Sequence, residues 1–117
     1  MPNHPIDAHD ICSIEDLMAS PQQVFRFLHP TYGLHEIAVF WSESRVYAIQ
    51  GSCPHQGANL AYGRTSGGTV ICPLHHATFD LDSGQCIDGF TDDAIVYESL
   101  ISDGRVLIMA PGEIPAP

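Results

Sequence analysis

The chain has 117 residues, 44% of them apolar, which is enough to build the core of one domain. Four arginines, no lysine and 14 acidic residues give a formal charge of −10, and this argues against nucleic acid or an anionic membrane as the main partner. The acidic excess favours docking to a basic protein surface. An equally weighted alternative is that the acidic residues only keep a small protein soluble.

The start of the sequence predicts a cytoplasmic protein. The first ten residues carry neither a positive stretch nor an apolar run, and nowhere do eighteen apolar residues follow one another. We therefore expect a chain that is neither secreted nor membrane-spanning. We expect one domain over residues 1–117, with its folded part from about 7 to 110 and a frayed, proline-rich tail at 111–117.

The first predicted element is a short helix. Ser13 is a typical N-cap residue, and Glu15 and Asp16 place negative charge in the first turn. We expect one or two helical turns that end before Pro21.

Short β-favouring runs separated by turn residues follow the helix and predict an all-β protein. The clearest hairpin signal is Asp103-Gly104, which predicts that the last two strands pair. The predicted strands are residues 24–28, 35–41, 45–49, 69–71, 78–81, 94–100 and 105–109.

Two of the four cysteines have a histidine close behind them. The strings are CPH at 53–55 and CPLH at 72–75, so the candidate ligands are Cys53, His55, Cys72 and His75. Thiolates and imidazoles suit zinc or an iron–sulfur cluster far better than magnesium or calcium. The spacing within CPH is short for one tetrahedral zinc, whereas a two-metal cluster allows the ligands of one loop to bind different metals.

The longer strings CPHQGANL (53–60) and CPLHHATFDLDSGQ (72–85) resemble those of Rieske-type [2Fe–2S] ferredoxins. The resemblance covers about a third of the chain. It implies one [2Fe–2S] cluster with Cys53 and Cys72 on one iron and His55 and His75 on the other. It also implies a Rieske fold of three antiparallel sheets, with a cluster-binding subdomain at about 51–88.

In function, the resemblance implies a one-electron carrier that is not itself an enzyme. Such a carrier takes electrons from a flavin-dependent reductase and passes them to a terminal oxygenase, through transient contacts steered by charge. Two alternatives remain open. One is the small Rieske-like subunit of a nitrite reductase, and the other is a zinc-stabilised interaction module without a redox role.

The resemblance also predicts a low reduction potential within the Rieske class, which spans roughly −150 to +300 mV. High-potential relatives in cytochrome bc complexes have a disulfide between the two loops, at positions that align with Ala58 and Leu74. They also have serine and tyrosine hydroxyls at positions that align with Ala77 and Phe79, neither of which can donate such a hydrogen bond.

Four further residues are noted beside the motif. His76 stands where the family usually has a small residue, and it is either a docking residue or an exposed histidine without a role. Phe90 is a candidate cover for the cluster, where the family commonly has a glycine and proline loop. Cys12 and Cys86 are expected to be buried as small apolar residues.

Overall fold

A computed structural model describes residues 8–29, 33–52, 59–73, 77–89 and 91–109 of the chain. Within these ranges the protein consists of ten antiparallel strands in three sheets, with one short α-helix and one 3₁₀ turn. The prediction of an all-β fold with a single short N-terminal helix is therefore confirmed. Among the described residues, no helix is long and apolar enough to cross a membrane.

Helix α1 (Ile14–Ala19) forms as the sequence predicts. The Ser13 hydroxyl accepts a hydrogen bond from the Asp16 backbone N–H at 3.0 Å, which satisfies one of the free donors of the first turn. Leu17 is completely buried and anchors the helix on the core. The helix ends at Ala19, with Ser20 as its C-cap, before Pro21.

The first sheet joins the two ends of the described chain, in the strand order β1-β10-β9. The predicted hairpin is confirmed, because Asp103 and Gly104 connect β9 to β10 with φ values of 51° and 74°. Strand β1 was not predicted, since it is half polar and lies ahead of the apolar runs. The strands are β1 (Ala8–Ser13), β9 (Ser99–Ser102) and β10 (Arg105–Met109).

The second sheet has four strands in the order β2-β3-β4-β8. It corrects one prediction, because the run 94–100 is two strands in different sheets. Tyr97 pairs with Ala48 of β4, whereas Ser99 pairs with Ile108 of β10, so the chain changes sheets at Glu98. The strands are β2 (Gln22–His29), β3 (Gly33–Ser42), β4 (Arg45–Gln50) and β8 (Val96–Tyr97).

The third sheet is small, with the order β5-β6-β7. The β5–β6 turn uses Gly67 and Gly68, both at positive φ, where glycine carries no steric cost. Strand β5 escaped prediction because it is short and polar. The elements are a 3₁₀ turn at Leu60–Tyr62, β5 (Arg64–Ser66), β6 (Thr69–Ile71) and β7 (Thr78–Asp80).

Strand β3 is buried on both of its faces and so divides the core into two clusters. Ile37 and Val39 pack with Leu17 and with the first sheet. Ala38 and Phe40 face the opposite way, towards a cluster that includes buried side chains of the third sheet. The third sheet is thereby held on the rest of the protein through completely buried side chains.

Candidate metal centre

Cys72 is the predicted ligand whose position the structure describes. It follows the last residue of β6, it is completely buried, and its thiol is not part of a disulfide. The other three predicted ligands, Cys53, His55 and His75, lie outside the described residues. So do Ala58, Leu74, His76 and Phe90, to which the sequence also drew attention.

The residues that flank the segment bearing Cys53 and His55 lie next to each other. Its flanking residues Ser52 and Asn59 form an antiparallel bridge. One residue further out on each side, the Leu60 N–H donates to the Gly51 carbonyl at 2.7 Å. These contacts hold the two ends of the first ligand segment together. We call the four residues Gly51, Ser52, Asn59 and Leu60 the base of that segment.

A hydrogen-bonded group on β3 holds this base against the second sheet. The Asn59 side-chain amide donates to Glu36 Oε1 at 2.8 Å, and its oxygen accepts from the Ala61 N–H at 2.8 Å. The Gly51 N–H donates to the Glu36 carbonyl at 2.8 Å, and Arg26 pairs with the Glu36 carboxylate at 2.8 Å. A Cβ at Gly51 would lie 2.9 Å from Asn59 Nδ2, so glycine is needed for this close approach.

The base of the second ligand segment is closed in the same way. The Cys72 N–H donates to the Ala77 carbonyl at 2.8 Å, across the segment that bears His75. Ala77 and Phe79 are completely buried and carry no side-chain donor. This part of the site can therefore offer apolar packing and backbone N–H groups.

Both bases are parts of one buried cluster. Leu60 and Ala61, which follow the first segment, belong to the same core as Cys72 and Ala77. Two loops that each carry a cysteine and a histidine thus start from a shared apolar platform. A buried free thiol next to such a pair of loops fits a two-iron cluster with two sulfur and two nitrogen ligands. No group of three potential metal ligands occurs within the described ranges, three of the four predicted donors being outside them.

Sequence reasoning missed the side chains that organise the two bases. Glu36 and Asn59 are 23 residues apart, and no local pattern connects them. Gln22 donates from one amide to the carbonyls of Ala61 and Gly63, at 2.8 and 2.7 Å, and lies 39 and 41 residues from them in sequence. Only Asn59 carries a local signal, since asparagine is a favoured N-cap residue and here caps the 3₁₀ turn.

The two cysteines outside the motif are buried, as predicted. The Cys86 thiol donates to Asp88 Oδ1 at 3.1 Å, and the Cys86 N–H donates to Asp93 Oδ1 at 2.8 Å. Burial raises the pKa of the Cys12 thiol, so Cys12 stays neutral.

Comparison with known proteins gives a consistent result. The profile of the Rieske [2Fe–2S] domain matches residues 8–97. The chain is 33% identical over 104 residues to the ferredoxin component of the alkene monooxygenase system of Xanthobacter autotrophicus, which covers 88% of this chain and 81% of that protein.

Two solved structures share the fold. The ferredoxin of carbazole 1,9a-dioxygenase from Nocardioides aromaticivorans has a TM-score of 0.72 at 20% identity, covering 87% of this chain and 96% of that one. A protein described as a putative nitrite reductase NADPH (small subunit) has a TM-score of 0.68 at 27% identity, covering 88% and 98%.

Proposed function

Because the chain belongs to the Rieske [2Fe–2S] domain family and carries one [2Fe–2S] cluster, we propose that four of its residues hold that cluster. Cys53 and Cys72 would ligate one iron, and His55 and His75 the other. Support comes from the pattern of the two motifs and from the buried, unpaired thiol of Cys72 at the shared base of both segments. The domain would extend over residues 1–117, with the cluster-binding subdomain at about 51–88.

The proposed function is that of an electron-transfer component and not of the enzyme that transforms a substrate. When bound, the cluster supplies a one-electron redox couple, with one electron accepted and one donated in each cycle. A flavin-dependent reductase would be the donor and a terminal oxygenase the acceptor. The similarity to an alkene monooxygenase ferredoxin component over most of both chains supports this assignment.

The protein's own residues prepare the site for this task. Completely buried Leu60, Val70 and Phe79 keep water away from the base of the two ligand segments. The hydrogen bonds at both bases hold the described ends of the two segments in place. A site that changes little in geometry requires little reorganisation when an electron arrives or leaves.

We place the protein in the cytoplasm, with both partners bound transiently. The buried thiols of Cys12, Cys72 and Cys86 are unpaired, as is usual for proteins of reducing compartments. The charge of −10 suits association with protein surfaces that carry positive charge, at rates that fall as salt screens the attraction.

Reconstitution with the cognate reductase and oxygenase tests the proposal. Product formation should require the chain, and Cys72→Ser should abolish it together with the visible absorbance of the cluster. Cys12→Ser is the matched control, since Cys12 is also buried but lies in the other core cluster, and it should retain activity. An oxygenase that turns over at the same rate without the chain would refute the proposed role.

A second candidate function is that of the small subunit of a nitrite reductase. The similarity of 88% of the chain to a protein described in those terms favours it. Purification of the protein at its native level distinguishes the two functions. A free carrier should elute alone at low molecular mass, whereas a nitrite reductase subunit should elute with a large sirohaem protein.

A further inference from the structure

The four arginines of this acidic chain differ in whether they form ion pairs. Three of the four form ion pairs with a carboxylate, whereas Arg64 makes none among the residues that the structure describes. The pairs are Arg26 with Glu36 at 2.8 Å, Arg45 with Asp82 at 3.4 Å and Arg105 with Asp10 at 2.8 Å.

The sequence around Arg64 also offers it no carboxylate. All acidic residues except Asp7 and Glu113 lie within the described ranges. Neither of the segments that bear the proposed ligands, 53–58 and 74–76, contains an aspartate or a glutamate. Among the described residues, Arg64 is thus an exposed cation without a carboxylate partner, in a chain whose formal charge is −10.

Arg64 lies at the end of the third sheet that leads into the metal centre. It is the first residue of β5 and pairs with Ile71, the residue before Cys72. A Cβ on the preceding Gly63 would collide with the Ile71 carbonyl oxygen, so this glycine permits the close approach of β5 to β6. The register thereby fixes the Arg64 backbone beside the proposed ligand.

A shallow surface pocket of about 210 Å³ opens at this point. Its lining is formed by Tyr62, Gly63, Arg64, Ile71, Cys72 and Pro73. Tyr62 is 74% exposed, the highest value among the large apolar side chains of the described residues. Tyrosine and arginine are among the residue types that most often dominate the energy of protein interfaces, so their exposure beside a proposed cluster ligand suits a docking surface.

We infer that Arg64 and Tyr62 form the contact by which this chain recognises its terminal oxygenase, with Arg64 binding an oxygenase carboxylate. This inference rests on the function proposed above. An arginine that loses its water on docking needs a carboxylate in exchange, because an unpaired buried charge is costly. The planar guanidinium can hold that carboxylate through two parallel hydrogen bonds, which fixes the orientation of the two proteins.

The proposed contact uses a positive charge, whereas most charged residues of the chain are negative. The acidic residues attract a basic partner from a distance, but they do not define one orientation. A single arginine paired with a single carboxylate, next to Cys72, brings the acceptor to the metal centre and excludes other arrangements.

The test is calorimetric binding of the oxidised, cluster-loaded chain to its oxygenase. Arg64→Glu should raise the Kd about tenfold or more, and Tyr62→Ala should raise it severalfold. Arg45→Glu is the control, because it makes the same change of charge at another exposed arginine, the first residue of β4 in the second sheet. It should change the Kd less than twofold. Binding does not depend on the reduction potential, so an effect of Arg64 on the cluster cannot imitate the result.

Several outcomes would overturn the inference. Equal losses in Arg64→Glu and Arg45→Glu would show a response to net charge alone. A loss of binding to the reductase, with unchanged binding to the oxygenase, would assign the surface to the other partner. Self-association of the wild type that disappears in Arg64→Glu would assign it to a second copy of this chain. If the wild type fails to bind any oxygenase, the proposed function falls as well, whereas wild-type binding that Arg64→Glu leaves intact refutes the role of Arg64 alone.

Discussion

Side-chain hydrogen-bond donors near the second ligand segment would stabilise the reduced cluster, and whether they are present depends on Ala77 and Phe79. Both are completely buried, and neither side chain has a hydrogen-bond donor. Donors aimed at cluster sulfurs stabilise the reduced state, which carries more negative charge. Because these two positions offer no such donor, a potential in the lower part of the Rieske range stays our prediction.

Replacing these residues should raise the reduction potential. One new hydrogen bond that is stronger in the reduced state contributes about 1 kcal/mol, which corresponds to roughly 40 mV for a one-electron couple. We expect increases of this order in Ala77→Ser and in Phe79→Tyr, measured by redox titration of the visible absorbance. Phe79→Leu adds no hydroxyl and should stay near the wild-type potential.

The same titration can contradict this account. A wild-type potential above about +100 mV, well up the class range, would show that the missing hydroxyls do not set it. A shift in Phe79→Leu as large as that in Phe79→Tyr would indicate altered packing as the cause.

Among the elements, the bridge between Ser52 and Asn59 and its support on β3 determine how firmly the first ligand segment is held. Asn59 is the centre of this support, since it bonds Glu36 from one end of its amide and the Ala61 N–H from the other. Its removal would leave the Glu36 carboxylate with Arg26 as its described side-chain partner. The base of the segment would then lose its side-chain link to the second sheet and keep the backbone hydrogen bond from Gly51 to the Glu36 carbonyl.

Asn59→Ala should therefore release the cluster faster than the wild type. We expect a loss of about 1–2 kcal/mol in the free energy of unfolding, and a severalfold faster bleaching of visible absorbance in denaturant well below the unfolding transition. Gln23→Ala is the control, because Gln23 also bonds two groups, the carbonyls of Asp16 and Ser20 at the end of α1. Bleaching that is equally accelerated in both variants would show a general effect of stability and no specific role for Asn59.

The elements also show what the sequence could and could not predict. The cap at Ser13 and the turn at Asp103-Gly104 are local signals, and both predictions are confirmed. The run 94–100 is uniformly β-favouring, so its change of sheet at Glu98 depends on partners that are distant in sequence. The ligands are predicted from the motif alone because the motif is local in sequence. The contact between Glu36 and Asn59 joins residues that are distant in sequence, so only the structure reveals it.

In the whole molecule, the core anchors the third sheet, and the proposed ligand Cys72 lies at the end of its central strand β6. Strand β3 contributes Phe40 to the cluster beneath the ligand segments and Val39 to the cluster beneath the first sheet. The acidic surface favours encounter with a basic partner, and Arg64 at the same end supplies the contact proposed to orient it. A carrier needs both properties, a rigid site and a surface from which the partner can dissociate.

The electron paramagnetic resonance spectrum of the dithionite-reduced protein, purified without air, tests the central claim most directly. Mixed ligation by two cysteines and two histidines predicts a rhombic signal with the low average g value of such clusters, and Cys72→Ser should abolish it. A spectrum of the all-cysteine type would show that the four ligands are wrongly assigned. A colourless sample that contains zinc and gives no signal would contradict the electron-transfer function altogether, because zinc has no redox chemistry.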